Sequence, residues 1–406
     1  MFYVALLFGK LAKFATKLRK TGGSAFPGLV AEKIYPPLLK EILAGTPVIL
    51  ITGTNGKTTT TKIVTELLEG FGKTVFTNST GSNFPRGILS ELLNLKNVRD
   101  FNYNFAVLEL DEAWAARFVE KVQPDYSLLL NVFRDQLDRF GEINTTARYL
   151  KEVALATKKK VVSNANDKMV RSLGTVHFGF NPALSSHFPN DDELYMLSKK
   201  DQEKISSCNV RLNEINDDKV KFNIGSAKLK LSGNHNALNS AAALSIVSTV
   251  LSDEFNKKKA LTILESIEPA FGRGEKVGLR NGNVQLILVK NPAGFRTALE
   301  SQLSENGSVM IAINDDYADG RDVSWLWDVD VLPLKKVKMV SGTRAYDMAL
   351  RLDCARVSYE YVNDNLVQAL EGFLNVNGDK QIFCTYTAML KIRSLLEKRA
   401  TMKKVL

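Results

Sequence analysis

The stretch Pro47-Val48-Ile49-Leu50-Ile51-Thr52-Gly53-Thr54-Asn55-Gly56-Lys57-Thr58-Thr59 decides the fold of this 406-residue chain. An apolar run ends in a glycine-containing turn, and a helical pattern over 57–71 follows it. Backbone N–H groups of such a turn, together with a helix N-terminus, bind phosphate. Lys57 can reach the terminal phosphate oxygens, and the Thr58 hydroxyl can ligate Mg²⁺. The loop therefore predicts binding of ATP and Mg²⁺ by Gly53, Thr54, Asn55, Gly56, Lys57, Thr58 and Thr59.

The phosphate loop is a short form, and acidic residues accompany it. The usual loop has a further glycine where this chain has Ile51. Another predicted strand ends at Glu109-Leu110-Asp111-Glu112, which carries three carboxyl side chains. Ligands of parallel sheets bind beyond the carboxyl ends of the strands. We therefore expect these carboxylates to face the phosphate loop.

From Pro47 to about residue 175, short apolar runs alternate with helical patterns, which predicts parallel βαβ units with helices on both faces of the sheet. Residues 175–232 interrupt this alternation, and two runs flanking Gly225-Ser226 predict an antiparallel hairpin. A second α/β series begins near Asn283. We predict an α/β protein with three segments: an amphipathic helix and connector (1–45), a central ATP-binding P-loop domain with a parallel sheet (46–280), and a C-terminal Rossmann-like α/β domain (281–406).

Composition narrows the class of protein. Hydrophobic residues make up 45% and charged residues 24%, which is typical of a soluble globular protein. The three cysteines, Cys208, Cys354 and Cys384, lack CxxC spacing, so we expect no zinc ribbon, no disulfide framework and a cytoplasmic setting. The formal charge of +10 suits anionic partners, but no nucleic-acid-binding motif accompanies it.

The N-terminus carries an apolar run followed by Lys10, Lys13, Lys17, Arg19 and Lys20. The run is far shorter than the ~20 residues of a membrane span. Its apolar residues recur at helical spacing, which predicts an amphipathic helix. Two interpretations stay open at this point: packing against the domain, or peripheral contact with the anionic inner membrane leaflet.

Several motifs in order resemble the Mur ligase family, whose members activate a carboxylate as an acyl phosphate. They are the loop 53–59, the segments 131–138 and 164–167, the adenine-binding motif 233–239 and the arginine turn 271–275. The resemblance implies a Mur ligase-type central domain in which Glu109 binds Mg²⁺, Asn236 and Asn239 bind adenine, and Arg273 contacts phosphate. Gln136 stands where the family usually has a histidine of a second metal site.

The C-terminal motifs resemble the MurT members of this family, the synthetase subunits of lipid II isoglutaminyl synthase. These motifs lie at 290–294, 314–328, 341–347 and 385–389. The resemblance implies amidation of the α-carboxylate of D-glutamate in lipid II, with ammonia from a partner glutamine amidotransferase, GatD. It further implies that an aspartate completes the partner's glutaminase site, and we select Asp322, with Asp319 second.

Two alternative functions are a different kind of ligase and a protein that is not an enzyme. A Mur or folylpolyglutamate synthase-like ligase would add a free amino acid. However, Lys290-Asn291-Pro292 lacks the aspartate and histidine that usually precede Asn-Pro, and the loop begins too early for a precursor-binding domain. A non-catalytic ATP-binding scaffold would regulate a partner, but Lys57, Thr58, Glu109 and Arg273 argue for chemistry.

Overall fold

The computed structural model describes residues 1–19, 25–78, 84–95, 98, 101–133, 143–188, 207–216, 218–231, 233–268, 275–304 and 307–397. The first sheet has the strand order β2-β3-β1-β4-β5-β6-β7-β8-β9. Its strands are β1 Val48–Thr52, β2 Val75–Thr77, β3 Phe105–Glu109, β4 Tyr126–Leu129, β5 Lys160–Asn164, β6 Val176–Phe180, β7 Val210–Asn216, β8 Lys219–Phe222 and β9 Gly225–Lys228.

Strand β1 is central because every residue in it is buried and it pairs in parallel with β3 and β4. Helices cover both sheet faces, which explains why the strands read as unbroken apolar runs. The helices before residue 270 are α1 Phe2–Arg19, α2 Phe26–Ile34, α3 Leu38–Ile42, α4 Lys57–Gly70, α5 Pro85–Leu92, α6 Glu112–Val119, α7 Ile143–Ala156, α8 Lys168–Arg171, α9 Asn234–Leu251 and α10 Lys257–Ser266. Helices α4 and α9 pack together on one face.

The end of the first sheet is antiparallel, as the interrupted alternation predicts. Strands β7, β8 and β9 form a meander, and β8 pairs with β9 from Lys219↔Lys228 to Phe222↔Gly225. The turn therefore lies at Asn223-Ile224, so the predicted turn at Gly225-Ser226 was wrong by two residues. Gly225 instead begins β9 with a φ of 138°, where its missing side chain leaves room for Leu261.

The second sheet has the order β10-β11-β15-β12-β13-β14, parallel apart from β10. Its strands are β10 Glu275–Leu279, β11 Gly282–Leu288, β12 Ser308–Ala312, β13 Lys336–Ser341, β14 Ser358–Asn363 and β15 Lys380–Cys384. The helices that accompany it are α11 Pro292–Gln302, α12 Ala345–Cys354, α13 Leu366–Leu374 and α14 Tyr386–Leu396. This is the predicted second α/β series. The predicted division at about residue 280 stays a prediction, and β10 already belongs to the second sheet before that position.

Helix α1 confirms the predicted N-terminal helix. It packs on α2, with Ala5 fully buried and Gly9 against Ala31 and Leu93. Its opposite face leaves several large apolar side chains exposed. Within the described part of the chain, no helix is both long enough and apolar enough to cross a membrane.

Candidate nucleotide and carboxylate-activation site

The phosphate loop depends on two glycines at positions that other residues rarely occupy. Gly53 has a φ of 133° and Gly56 a φ of 88°. A Cβ atom on Gly53 would lie 2.9 Å from the backbone nitrogen of Asn131, and one on Gly56 would lie under 3.0 Å from Asn239 Oδ1. The loop thus passes so close to the end of β4 and to α9 that backbone alone fits. Its N–H groups and the N-terminus of the 14-residue helix α4 form an anion site.

Asn131, which follows β4, holds the loop in shape. Its side-chain oxygen accepts a hydrogen bond from Asn55 N at 2.8 Å, and its Nδ2 donates to Asn55 O at 3.0 Å. Its backbone carbonyl accepts from Thr54 N at 3.0 Å. Asn131 thus satisfies three backbone polar groups of the loop, and these hydrogen bonds fix the loop conformation in the absence of nucleotide. The sequence marked Asn131 only as the start of a motif and gave no reason to assign it this contact.

Lys57 is buried among carboxylates and carbonyls. Its Nζ lies 3.0 Å from Asp111 Oδ1 and 3.7 Å from Glu112 Oε2, and it donates to Gly53 O at 2.7 Å. Burial alone would lower the pKa of Lys57, but Asp111 above all, then Glu112 and Glu109, outweigh it and raise the pKa above its ordinary value. Lys57 is therefore a permanent cation at the phosphate loop.

The acidic residues 109–112 do lie against the loop. The Thr58 hydroxyl donates to Glu109 Oε1 at 2.8 Å, and the Thr54 hydroxyl donates to Glu112 Oε1 at 2.9 Å. Asn78 fixes the Glu109 backbone through two hydrogen bonds of 2.8 Å. A hydroxyl and a carboxylate oxygen are the hard donors that Mg²⁺ prefers, and water or phosphate oxygens supply the rest of its shell. Thr58 and Glu109 therefore fit a Mg²⁺ ion beside a bound phosphate.

The amides predicted to bind adenine lie at the start of α9, behind the loop. Asn239 is buried against Gly56 and its Nδ2 donates to Asn236 Oδ1 at 3.3 Å. Asn236 is half-buried. The arrangement joins both amides to the phosphate loop, with Asn236 the more accessible of the two. Their contact with adenine stays a prediction.

A pair of asparagines connects the phosphate loop to the second sheet. Asn291 Nδ2 donates to Asn55 Oδ1 at 2.9 Å, and Asn55 Nδ2 donates to Asn291 Oδ1 at 3.4 Å. Asn291 is fully buried and caps α11 by accepting from Gly294 N at 2.8 Å. The Asn-Pro element that opens α11 thus lies directly against the phosphate loop.

Asp167 supports the same region from behind. It accepts from Val132 N at 2.7 Å and from Met169 N at 2.8 Å. Burial is the largest influence and raises the pKa of Asp167 to about 6, although the N–H donors oppose it. Because Val132 follows Asn131, this carboxylate ties the loop-holding segment to the N-terminus of α8.

The two aspartates selected in the C-terminal region have different surroundings. Asp319 is buried and accepts hydrogen bonds from the backbone N–H and the hydroxyl of Thr387, so it caps α14. Burial raises the pKa of Asp319. Asp322 is half-buried and accepts from Ser324 N at 2.8 Å in a surface turn. Of these two aspartates, Asp322 is the one that another chain could reach. The Asp319 carboxylate is occupied in holding the N-terminus of α14.

Two predicted features lie outside the described residues. These are Arg273, predicted to contact phosphate, and Gln136 with the neighbouring residues of the 134–139 segment. Among the described residues, no group of three or more His, Cys, Asp or Glu side chains is arranged to hold a metal ion. Cys208 is buried beside Ala165. The predicted lack of a zinc ribbon stays a prediction.

Comparison with known proteins agrees with the resemblance. The Mur ligase middle domain model matches residues 51–247, and the MurT ligase C-terminal model matches 288–389. The lipid II isoglutaminyl synthase (glutamine-hydrolyzing) subunit MurT of Streptococcus pneumoniae is 28% identical over 99% of this chain and 98% of that protein. The subunit of the same name from Staphylococcus aureus is 28% identical over 95% of this chain and 96% of that protein.

Among solved structures, MurF ligase of Thermotoga maritima in complex with ADP shares the fold, with a TM-score of 0.65 at 19% identity, over 90% of this chain and 83% of that one. The two α/β sheets and the short phosphate loop define a protein of the Mur ligase type. Within that class, the chain belongs to the MurT family, as its C-terminal match and its nearly full-length relatives show.

Proposed function

We propose that this protein is the ATP-dependent ligase subunit that amidates the α-carboxylate of D-glutamate in lipid II. The product is D-isoglutamine, formed through an acyl phosphate, and the ammonia comes from a partner glutamine amidotransferase of the GatD type. The observation that carries the proposal is the bridge between Asn55 of the phosphate loop and Asn291, because it joins the ATP site to the region that matches MurT. The names of the curated relatives support the substrate.

The reaction needs activation because a carboxylate is a poor electrophile. The γ-phosphoryl group of ATP passes to a carboxylate oxygen, and ammonia then displaces phosphate from the acyl phosphate. The loop N–H groups and the α4 N-terminus hold the phosphates, and Lys57 stabilises charge on the transferred group. Thr58 and Glu109 would hold Mg²⁺, which would neutralise phosphate charge. Arg273 is proposed to add a guanidinium contact, and Asn236 and Asn239 to bind adenine.

Displacement of Lys57 from its carboxylates accompanies nucleotide binding in this proposal. Asp111 and Glu112 hold the ammonium group against the loop carbonyls, and phosphate oxygens would compete with Asp111 for it. The exchange replaces one charge partner by another, so Lys57 never loses a counter-charge while it is buried. This protects the site from the high cost of an isolated buried cation.

The partner would bind the C-terminal α/β region near Asp322. Trp327 is half exposed in the same loop, and the Arg351 guanidinium of α12 lies 5.9 Å from the centre of its ring. Tyr346 and Leu350 are exposed one helical turn apart on α12. Aromatic and arginine side chains are typical of the centre of an interface. The Arg351 guanidinium is held in place by donating to Leu326 O and Val329 O. Asp322 would orient the partner's histidine as the third member of a catalytic triad does.

Reconstitution with a GatD-type partner, lipid II, ATP and glutamine tests the proposal. Mass spectrometry is expected to show replacement of one hydroxyl group by an amino group. Absence of both this change and ATP turnover would refute the proposal, and incorporation of a free amino acid would favour the Mur or folylpolyglutamate-like alternative. Thr58→Ala should be inactive with either nitrogen source, and it leaves the Lys57 ion pairs intact.

Replacing glutamine by ammonium salts separates the two roles. Asp322→Asn should lose the glutamine-dependent reaction and keep the ammonium-dependent one. Asp330 offers a matched control, because it accepts from Leu332 N at 3.0 Å in a similar surface turn. Asp330→Asn should keep both reactions. An Asp322→Asn variant that is equally inactive with ammonium would show that Asp322 does not serve the partner.

The protein would work in the cytoplasm and in peripheral contact with the inner membrane leaflet, because lipid II is anchored there. This localisation follows from the proposed substrate.

A further inference from the structure

Helix α1 presents an apolar stripe that the rest of the described chain leaves uncovered. The exposed side chains repeat every three to four residues, so they share one face of the helix. Tyr3, Leu7 and Phe14 are 58%, 59% and 65% exposed. The complete stripe consists of Tyr3, Val4, Leu7, Phe8, Leu11 and Phe14. Contiguous apolar surface of this kind marks an interaction site.

The opposite face of α1 is firmly packed, so the stripe is not a consequence of a detached helix. Gly9 packs so closely that a Cβ atom there would lie 2.7 Å from Leu93 Cδ1. Lys10 Nζ donates to Leu95 O at 3.4 Å, and Lys13 Nζ donates to Ser90 O at 3.3 Å. These contacts hold α1 against α2 and α5 with the stripe facing outwards.

The charge of the N-terminal segment indicates what kind of surface binds the apolar stripe of α1. The first 31 residues contain five lysines and arginines, and the first acidic residue is Glu32. A helix with apolar side chains on one face and only basic charged residues suits an anionic lipid surface, where the ring and aliphatic groups enter the boundary between headgroups and acyl chains. Binding to a protein partner would not explain why residues 1–31 contain no acidic residue.

We propose that α1 lies flat on an anionic phospholipid membrane through the Tyr3–Phe14 stripe. The order of its contacts, residue 10 near Leu95 and residue 13 near Ser90, means that α1 runs antiparallel to α5. Its basic end therefore points towards the start of α5. There the Phe84 ring lies 5.9 Å from the ring of Trp114, in the helix that begins at Glu112 beside Lys57. Because α1 packs along α5, docking of α1 would bring the start of α5 and the Phe84–Trp114 pair close to the membrane. The use of this arrangement for catalysis rests on the proposed lipid-linked substrate.

Vesicle flotation of the full chain, without nucleotide or substrate, tests the docking. Binding is expected with vesicles of phosphatidylcholine plus phosphatidylglycerol, and it should weaken with added salt. The double variant Leu7→Gln, Leu11→Gln should bind at least about tenfold less, because it removes two exposed leucines from the lipid contact. Leu155→Gln is the matched control, since Leu155 is also exposed but lies on α7, and its binding should be unchanged.

Equal binding of the double variant, or no preference for phosphatidylglycerol, would overturn the proposal. A dimer seen by light scattering that the double variant dissociates, without vesicle binding, would assign the stripe to a second copy and overturn it equally. A second assay, amidation of detergent-dispersed lipid II with ammonium, tests the proposed function separately from the membrane docking. Loss of vesicle binding with amidation intact removes only the docking, and vesicle binding without any amidation removes only the proposed function.

Discussion

Replacing Gly56 by alanine tests whether the phosphate loop is built around bare backbone. Gly56 has a φ of 88°, and a left-handed conformation costs a non-glycine residue about 1–2 kcal/mol. The new Cβ would also meet Asn239 Oδ1 at less than 3.0 Å, and forcing a packed side chain aside costs about 1–3 kcal/mol. Gly56→Ala should therefore lower the free energy of unfolding by about 2–5 kcal/mol.

Gly72→Ala separates the two contributions. Gly72 follows the same helix α4 with a φ of 83°, but a Cβ atom on it would meet no other atom within 4 Å. Only the conformational cost of about 1–2 kcal/mol applies there. Chemical denaturation gives both differences, and calorimetric titration with ATP measures binding. Gly72→Ala should bind ATP as the native protein does, whereas Gly56→Ala should not bind measurably.

The double variant Gly56→Ala, Asn239→Ala removes the Asn239 Oδ1 atom that the new Cβ would meet. It should lose less stability than the sum of its single variants, because the overlap with Asn239 is gone. Equal destabilisation by Gly56→Ala and Gly72→Ala, or additive effects in the double variant, would show that close packing against Asn239 is not the cause. ATP affinity that survives Gly56→Ala would contradict the placement of the phosphates on this loop.

Three other perturbations follow from the same region. Lys57→Ala should destabilise the protein by about 3 kcal/mol, because it leaves buried carboxylates without their cation, and thermal unfolding at neutral pH measures it. Asn291→Ser should keep the α11 cap but lose the bridge, so a double-mutant cycle with Asn55→Ala should give a coupling of about 1–2 kcal/mol in unfolding, and a coupling of zero would contradict it. Because folding raises the pKa of Asp167 from 3.8 to about 6, its contribution to stability is present below pH 4 and is lost as pH rises to 6. Asp167→Asn should remove up to about 3 kcal/mol of that pH dependence, measured as the free energy of unfolding from pH 4 to 6, and unchanged slopes would exclude this cause.

Sequence patterns predict most of the parallel strands well because each is a buried apolar run bounded by turns. Strand β1 is an example, with all five residues buried. Strands β6, β7 and β10 do not stand out as apolar runs, because their sequences mix apolar with polar residues or glycine. Val210–Asn216, for example, alternates buried and accessible residues, and β10 lies at a sheet edge beside β11. A strand buried on one side, or interrupted by polar residues, carries a weak apolar signal.

The candidate site likewise contains residues that the local sequence predicts and contacts that it does not. The loop itself is local, so its glycines, Lys57 and Thr58 can be read directly from a strand–turn–helix sequence. The contacts of Asn55 with Asn131 and Asn291 join residues 76 and 236 positions apart, and no local pattern predicts them. Asp319 shows the converse, because an acidic loop predicts a surface role, while packing places the side chain over the N-terminus of α14.

The proposed function depends on one chemical step, the activation of a carboxylate as an acyl phosphate at the phosphate loop. The most direct measurement uses lipid II whose D-glutamate α-carboxylate carries a heavy oxygen isotope, with ATP and ammonium, followed by mass spectrometry of the released phosphate. One labelled oxygen should move from the carboxylate to phosphate for each amide formed. Amide formation with unlabelled phosphate would contradict an acyl phosphate intermediate.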